Sequence, residues 1–282
     1  MAELKGKKIS FIGGGNMAQA LISGLIGRGI NPSNITVADP SEAIRDQLKQ
    51  RKINAVDPTA NTETDNSQVA VKGADVVVLA VKPQVMRQVV SDFAEVLDRQ
   101  LVVSVAAGLS TESLSKMLGG YQNIVRAMPN TPAMIQKGAT GLYAADYITE
   151  ADKTLAASLM SASGLVSWVE KEEQLHAVTA VSGSAPAYFF YMLEAMIDAA
   201  VEQGLDSKQA AALAMQTALG AAQMAITSEE APAELRRKVT SPNGTTQAAI
   251  ESLQRDNFAQ AMKKAMQACY TRSEEISNEL AD

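Results

Sequence analysis

The sequence predicts an α/β fold, with an N-terminal doubly wound parallel sheet followed by an all-helical C-terminal domain. Short apolar runs such as Ile9–Ile12 alternate with helical patterns up to residue 169, which is typical of a parallel sheet covered on both faces. Past residue 171 the strand signals stop, and long helices rich in Ala, Met and Leu follow. Because 282 residues are enough for two cores, we expect domains at 1–170 and 171–282.

The composition disfavours several classes of function. A net charge of −6 and only 4% aromatic residues argue against a nucleic-acid partner. No uncharged apolar span is long enough to cross a membrane, so we expect no membrane partner. Cys269 is the single cysteine, which rules out an intramolecular disulfide framework and favours a cytoplasmic location. With one cysteine and one histidine we expect no metal site, and we interpret His176 as a surface residue of a helix.

A glycine-rich turn follows the first strand. Gly13 and Gly15, with Ala18 three residues later, lie between the strand Ile9–Ile12 and a helical pattern that continues to Arg28. This is the dinucleotide fingerprint, in which the first glycine permits a tight turn and the second lets the backbone approach a pyrophosphate. The alternative is a tight strand–helix turn that binds no ligand.

The second strand, Ile35–Ala38, ends at Asp39, somewhat farther from Gly13 than the usual spacing of about 20 residues. The Asp39 carboxylate could accept a hydrogen bond from the adenosine ribose and so favour NAD. Ser41 and Arg45 follow closely and could instead serve a 2′-phosphate. The alternative for this segment is a turn followed by the N-cap of a helix over residues 42–51.

Later strands bring further candidates to the same sheet edge, because ligands of doubly wound folds lie outside the carboxyl ends of the strands. Lys82 follows the strand at 75–81, and Pro83 stops that strand. The alternative for Lys82 is a solvated lysine. The small residues at 106–108 follow the strand at 101–105 and leave room for a flat group. The proline-rich loop at 128–132 follows the strand at 123–127, and Arg126 is the guanidinium near it.

The remaining elements of the first half are predicted from periodicity and capping residues. Residues 54–72 are expected to hold loop with a short strand and a helix, and a helix is expected at 84–97. Ser110 opens another helix, and Thr149 with Asp152 resembles a capping box. We expect final edge strands at 139–143 and 165–169.

The helical half is predicted from five apolar segments. Helices are expected from about Pro186 to 203, from Asp206 to about 227, around Pro232, at 243–254 and at 257–280. They are too long and too apolar for one thin layer, so a dimer with a shared helical core is expected. Before the fourth helix, residues 241–246 offer free N–H groups and two hydroxyls, which favours a carboxylate site. The alternative is a capped turn between two helices.

Six motifs lie in order along nearly the whole chain: residues 11–18 (FIGGGNMA), 80–83 (AVKP), 104–108 (SVAAG), 126–132 (RAMPNTP), 181–188 (VSGSAPAY) and 241–246 (SPNGTT). Together they resemble the motifs of pyrroline-5-carboxylate reductases. The resemblance implies reduction of 1-pyrroline-5-carboxylate to L-proline by hydride transfer from NADPH or NADH, the last step of proline synthesis. It also implies a Rossmann-type N-terminal domain and a helical C-terminal domain that interlocks into a homodimer, often assembled further into decamers.

The resemblance also assigns site residues. It implies cofactor contacts at Ile12, Gly13, Gly14, Gly15, Asn16, Met17, Asn66, Ala80, Val81, Lys82, Pro83, Ala106, Ala107 and Gly108. The substrate carboxylate would meet backbone N–H groups of Asn243, Gly244, Thr245 and Thr246, and the Thr246 hydroxyl would hydrogen-bond the ring nitrogen. Glu172 is the nearest match to an acidic residue that approaches substrate. Two positions depart from the family: Ala185 replaces Gly or Ser, and Asp39 stands where many relatives carry a residue compatible with a 2′-phosphate.

Two rival functions would require other sequence features. A 3-hydroxyacid dehydrogenase on the same scaffold would use a lysine on a long helix, but residues 185–203 contain no lysine. A nucleotide-sensing scaffold without turnover would need no carboxylate pocket, and residues 241–246 argue against it.

Overall fold

The computed structural model describes residues 2–60, 62 and 66–280, and the chain divides into two compact units. Unit 1 comprises Met1–Ser184 together with Cys269–Asp282, and unit 2 comprises Ala185–Ala268. The first break between the units therefore lies later in the chain than residue 170, and the last residues return to unit 1. The domain boundary between 170 and 171 stays a prediction, because a family domain and a compact unit need not coincide.

Unit 1 is built on one sheet, whose strands in the described part of the chain are β1 (Ile9–Ile12), β2 (Ile35–Ala38), β3 (Asn54–Val56), β4 (Val76–Leu79), β5 (Leu101–Ser104), β6 (Ile124–Met128), β7 (Gly138–Ala144) and β8 (Gly164–Trp168). Their order is β3-β2-β1-β4-β5-β6-β7-β8, and neighbours are parallel except for the antiparallel pair β6–β7. In the register, Ile12 lies opposite both Ala38 and Leu79. The carboxyl ends of β1, β2 and β4 therefore meet at one edge.

The predicted mostly parallel sheet is confirmed, but the prediction of two edge strands is wrong for β7. This strand lies between β6 and β8, with Val125 opposite Ala144. The chain reverses direction before it, at Gln136 with φ +55°, so β7 runs against β6. Only the end of the sheet at β8 matches the expectation of an edge strand.

Helices of unit 1 cover the sheet: α1 (Asn16–Gly27), α2 (Glu42–Gln50), α3 (Ser67–Val71), α4 (Pro83–Ser91), α5 (Thr111–Met117), α6 (Glu150–Ser161) and α7 (Gln174–Val178). The predicted caps Ser41, Ser110 and Thr149 accept hydrogen bonds from first-turn amides, as expected of N-cap residues. The helix predicted at 84–97 ends early, at Ser91, because Phe93 leaves the helical conformation (φ −137°) and is fully buried.

Both faces of the sheet are buried at its central strands β1, β4 and β5, which explains the unbroken apolar signals of these strands. In β4, Val76 and Val78 pack in one core while Val77 and Leu79 pack in the core on the opposite face. A strand with apolar residues on both faces reads as a continuous hydrophobic run. The sheet is thus a rigid platform for whatever lies at the carboxyl ends of its strands.

Unit 2 is helical over the residues the structure describes. It contains α8 (Ala185–Glu202), α9 (Ser207–Thr227), α10 (Pro232–Lys238) and α11 (Thr245–Arg255), and α12 (Phe258–Glu279) begins in it and ends in unit 1. Large apolar side chains are exposed on α8 and α9, for example Tyr191 and Ile226. Not one helix among the described residues combines the length and the apolar character that crossing a membrane requires.

The last turns of α12 form part of unit 1, and they correct the prediction for His176. Its side chain is buried, its Nδ1 lies 2.9 Å from Ser273 Oγ, and its ring makes an edge-on contact with Tyr270. The surface position predicted for His176 is wrong because α12 returns to cover α7, a long-range contact that local periodicity does not contain. Burial, and then the charge of Arg126, hold the pKa of His176 below its ordinary value.

Candidate active site

The glycine turn lies between the carboxyl ends of β2 and β4. Gly13 N donates to Ala38 O at 2.8 Å, and Ala80 N donates to Ile12 O at 2.8 Å. Gly13 has φ +99°, and a Cβ there would lie 2.8 Å from Ala80 O. A side chain is therefore excluded both by backbone conformation and by lack of space. The turn is fixed by backbone contacts on both sides.

Asp39 stabilises this turn from β2. Gly14 N donates to Asp39 Oδ2 at 2.7 Å, and Ser41 N donates to Asp39 Oδ1 at 2.9 Å. The residue is only 7% exposed. Ser41 is the N-cap of α2, as the turn interpretation predicted. A contact of Asp39 or Ser41 with a ribose stays a prediction.

Gly15 is the open side of the turn. It is the N-cap of α1 without a side-chain hydrogen bond, and a Cβ on it would meet nothing within 4 Å. The first-turn amides, including those of Asn16 and Met17, have no intrahelical acceptor by the geometry of an α-helix. Open space beside these amides, at the positive end of the helix dipole, fits a pyrophosphate. The residues present thus fit a dinucleotide.

The other predicted cofactor residues at this edge of the sheet differ in their exposure and in their hydrogen bonds. Lys82 is the exposed N-cap of α4, and Pro83 is its first helical residue, with Ala80 and Val81 half-buried before them. Asn66 caps α3, since its Oδ1 accepts from Val69 N at 2.9 Å. Neither helix-capping role shows a contact with a cofactor, so the cofactor contacts of these residues stay predictions.

The expected room at residues 106–108 is found only in part. Ala107 is exposed and Ala106 is buried, but a Cβ on Gly108 would lie 2.8 Å from Ile276 and 2.9 Å from Leu280. The expectation of free space beside Gly108 is wrong, because the end of the chain packs there. Cofactor contacts of these three residues stay predictions.

Glu172 is held inside unit 1. Its Oε1 accepts from Thr111 N at 2.7 Å and from Arg126 Nη1 at 3.1 Å, and its Oε2 accepts from Thr111 Oγ1 at 2.9 Å. The Arg126 side chain is 8% exposed. Glu172 therefore ties the start of α5 to β6 and compensates a buried charge. Its predicted role as a substrate-binding residue stays a prediction.

The proline-rich loop contains a contact that sequence reasoning missed. Asn130 donates from Nδ2 to Ser182 O at 3.0 Å, and its Oδ1 accepts from Ala139 N at 2.8 Å. Ser182 lies in a π-helical turn, Thr179–Gly183, which the sequence also did not predict. An asparagine between two prolines is the only local signal for this contact. Since π-turns often mark functional sites, the conformation of residues 179–183 is a second feature of the candidate site.

The second polar motif lies in unit 2, at the start of α11. Gly244 is the N-cap without a side-chain hydrogen bond, and Thr245 and Thr246 begin the helix with both residues exposed. Asn243 N already donates to Gln247 Oε1 at 2.7 Å, and Gly244 N donates to Ser241 O at 3.0 Å. Of the four predicted amides, those of Thr245 and Thr246 lie at positions without an intrahelical acceptor.

Among the residues that the structure describes, no three His, Cys, Asp or Glu side chains are grouped so that they could hold a metal ion. The helix starts after Gly15 and Gly244 offer backbone amides, and Thr245 and Thr246 add two hydroxyls. Such groups bind anions and orient polar substrates.

Comparison with known proteins finds similar sequences over nearly the whole chain. A family model described as pyrroline-5-carboxylate reductase dimerisation matches residues 172–276, and one described as NADP oxidoreductase, coenzyme F420-dependent, matches residues 8–108. The pyrroline-5-carboxylate reductase of Pseudomonas aeruginosa is 47% identical over 97% of this chain and 98% of its own length. That of Escherichia coli is 38% identical over 96% and 98%.

Solved structures give the same result. The pyrroline-5-carboxylate reductase of Coxiella burnetii has a TM-score of 0.89 at 41% identity, covering 96% of this chain and 98% of that one. The Plasmodium falciparum pyrroline carboxylate reductase, solved with NADP bound, has a TM-score of 0.83 at 27% identity with the same coverage.

Proposed function

This chain belongs to the pyrroline-5-carboxylate reductase family, and we infer that it is an oxidoreductase that reduces 1-pyrroline-5-carboxylate to L-proline with NAD(P)H, the last step of proline biosynthesis. The observation that carries this inference is the glycine turn, which is closed to a side chain at Gly13 and open at Gly15. It supplies the dinucleotide site that such a reaction needs.

The reaction requires positioning more than side-chain chemistry. When bound, NAD(P)H supplies the hydride that adds to the carbon of the C=N bond. The substrate is its own electrophile once its nitrogen is protonated, so a covalent nucleophile and a metal are not needed. Orientation of the reacting groups can contribute about 7–11 kcal/mol to lowering the barrier. The residues of this chain therefore act mainly by binding and orienting.

We assign the substrate-holding role to the start of α11. The amides of Thr245 and Thr246 bind the substrate carboxylate, and the turn at Asn243 and Gly244 shapes this helix end. The Thr246 hydroxyl hydrogen-bonds the ring nitrogen, orients it and can relay its proton. Glu172 remains a further candidate for substrate contact, through its position after β8.

The protein is oligomeric, as its dimerisation domain indicates. We propose that the basic unit is a homodimer in which exposed apolar residues of α8 and α9 are covered, among them Phe189, Phe190 and Leu213. Burying such side chains contributes roughly 1.5–3 kcal/mol each. A decameric assembly and a cytoplasmic location are the finer parts of this proposal. Light scattering measures the subunit number directly.

The test is an assay with 1-pyrroline-5-carboxylate and NADPH or NADH, followed by loss of coenzyme absorbance and by detection of proline. We expect turnover with proline as product. A 3-hydroxyacid dehydrogenase would leave this imine unreduced, and a nucleotide sensor would bind coenzyme without consuming it. Either result would contradict the proposed function.

A further inference from the structure

The carboxylate of Asp39 is directed into the protein. Each of its two oxygens accepts a backbone amide, from Gly14 at 2.7 Å and from Ser41 at 2.9 Å, and the residue is nearly inaccessible. A carboxylate that selects NAD must present an oxygen to the ribose hydroxyl. The contacts of Asp39 instead fix the glycine turn and the β2–α2 turn. Asp39 is therefore placed to hold the backbone of the glycine turn in position for the coenzyme.

A guanidinium lies at the same carboxyl end of β2. Arg45 reaches back from the first turns of α2, and its Nη1 donates to the carbonyl oxygen of Asp39 at 2.9 Å. Its Nη2 pairs with Asp57 Oδ2 at 2.9 Å, and its side chain is 13% exposed. These two contacts hold the guanidinium in place and engage two of its five N–H donors. An arginine near this strand end is how such folds accommodate a 2′-phosphate.

Asp57, the partner of Arg45, is itself fixed from another side. Its Oδ1 accepts from the amide of Thr59 at 2.9 Å and from the Thr59 hydroxyl at 2.6 Å. These bonds hold the pKa of Asp57 below its ordinary value, and Arg45 contributes in the same direction. The ion pair therefore persists at neutral pH and keeps Arg45 preorganised beside β2.

We propose that Arg45 recognises the 2′-phosphate that distinguishes NADP(H) from NAD(H), and that Asp39 is a positioning residue for the glycine turn. This inference rests on the proposed function, because it requires a dinucleotide at Gly15. It replaces the ribose-selecting role expected for Asp39 from strand position alone. The side chain that governs coenzyme preference is then one turn into α2.

The test measures binding, without turnover, by calorimetric titration of the full-length protein with NADP⁺ and NAD⁺. Arg45→Gln is expected to raise the Kd for NADP⁺ by about 10- to 100-fold and to change the Kd for NAD⁺ by less than about threefold. Arg51→Gln is the matched control, because Arg51 follows the same helix and bonds Ser23 Oγ at 3.0 Å. It should leave both constants unchanged.

Asp39→Ser separates the two roles of this strand end. We expect it to raise both dissociation constants by the same factor, with their ratio within about threefold of wild type. A shift of the ratio toward NADP⁺ by about tenfold would mean that the carboxylate had repelled the phosphate, and would overturn the positioning role. An unchanged ratio in Arg45→Gln would overturn the role of Arg45.

If Arg45→Gln is insoluble, Arg45→Lys is used instead, because lysine keeps the positive charge but lacks the planar guanidinium with its paired N–H donors. It should weaken NADP⁺ binding less while moving the ratio in the same direction, and an unmoved ratio again contradicts the proposal. Failure of the wild-type protein to bind either coenzyme would instead contradict the proposed function.

Discussion

Two helices of this molecule begin at a glycine N-cap without a side-chain hydrogen bond, and their surroundings differ. At Gly15 the start of α1 is open, but the turn before it is held between β2 and β4 and is fixed by Asp39. At Gly244 the start of α11 is exposed, and only local contacts such as that of Gln247 shape it. Unit 1 thus holds its candidate anion site in place through contacts between strands, whereas unit 2 offers donors from a single helix end.

The largest effect is expected on coenzyme affinity when a side chain is introduced at Gly15, on the open side of α1. Gly15→Val places a side chain where a pyrophosphate fits, while its backbone (φ −67°, ψ −176°) suits valine. Losing about two charge-assisted contacts should weaken coenzyme binding roughly 100- to 10,000-fold. Titration with NADPH measures this, and thermal unfolding should show a native-like protein.

Gly27→Val serves as the control for that variant. Gly27 is the last residue of α1, and a Cβ there also meets nothing within 4 Å. Coenzyme affinity should stay at the wild-type value. Equal losses in the two variants would mean that Gly15 matters only for the helix.

The second effect tests the start of α11. Thr246→Ala should lower turnover by about 10- to 1000-fold, roughly 1.4–4 kcal/mol, because the substrate nitrogen loses its orienting hydroxyl. Stability should hardly change, since Thr246 is exposed. Steady-state kinetics with saturating coenzyme measures the effect. Thr246→Ser retains the hydroxyl and should recover most activity, and wild-type turnover in the alanine variant would remove Thr246 from the mechanism.

The third prediction concerns Glu172, and it distinguishes a role in stability through Arg126 from a role in substrate binding. Glu172→Gln leaves Arg126 without its carboxylate, and breaking such a pair costs about 3 kcal/mol of unfolding free energy. Denaturant unfolding measures this, with the exposed neighbour variant Glu173→Gln as control. Wild-type stability together with a raised KM for the substrate would assign Glu172 to substrate binding instead.

The smallest effect concerns the contact between α7 and the end of α12. Because burial lowers the pKa of His176 in the folded state, the folded protein binds its proton less readily than the unfolded chain. The contribution of His176 to the free energy of unfolding is therefore largest above the ordinary histidine pKa of about 6.5, and it decreases as the pH falls below that value. Melting temperatures should therefore decline toward about pH 5.5. His176→Gln should flatten that decline, and an unchanged slope would assign it to other groups.

Much of the fold was predictable because its signals are local. The apolar run of β4, the glycines of residues 13–15 and the capping residues Ser41, Ser110 and Thr149 each fix their element through neighbours in sequence. The helical character of residues 185–255 follows from the same kind of signal. Motif spacing also located the open glycine turn and the exposed start of α11.

The sequence alone determined the doubly wound sheet, the helical second half, the glycine turn and the family resemblance, because periodicity, steric freedom of glycine and motif order are written in short stretches of chain. Only the tertiary structure decided that α12 buries His176 and fills the space at Gly108, that β7 lies inside the sheet, and that Asp39 faces the protein while Arg45 lies at the strand end. These are contacts between residues far apart in the chain, and their geometry depends on how whole elements pack.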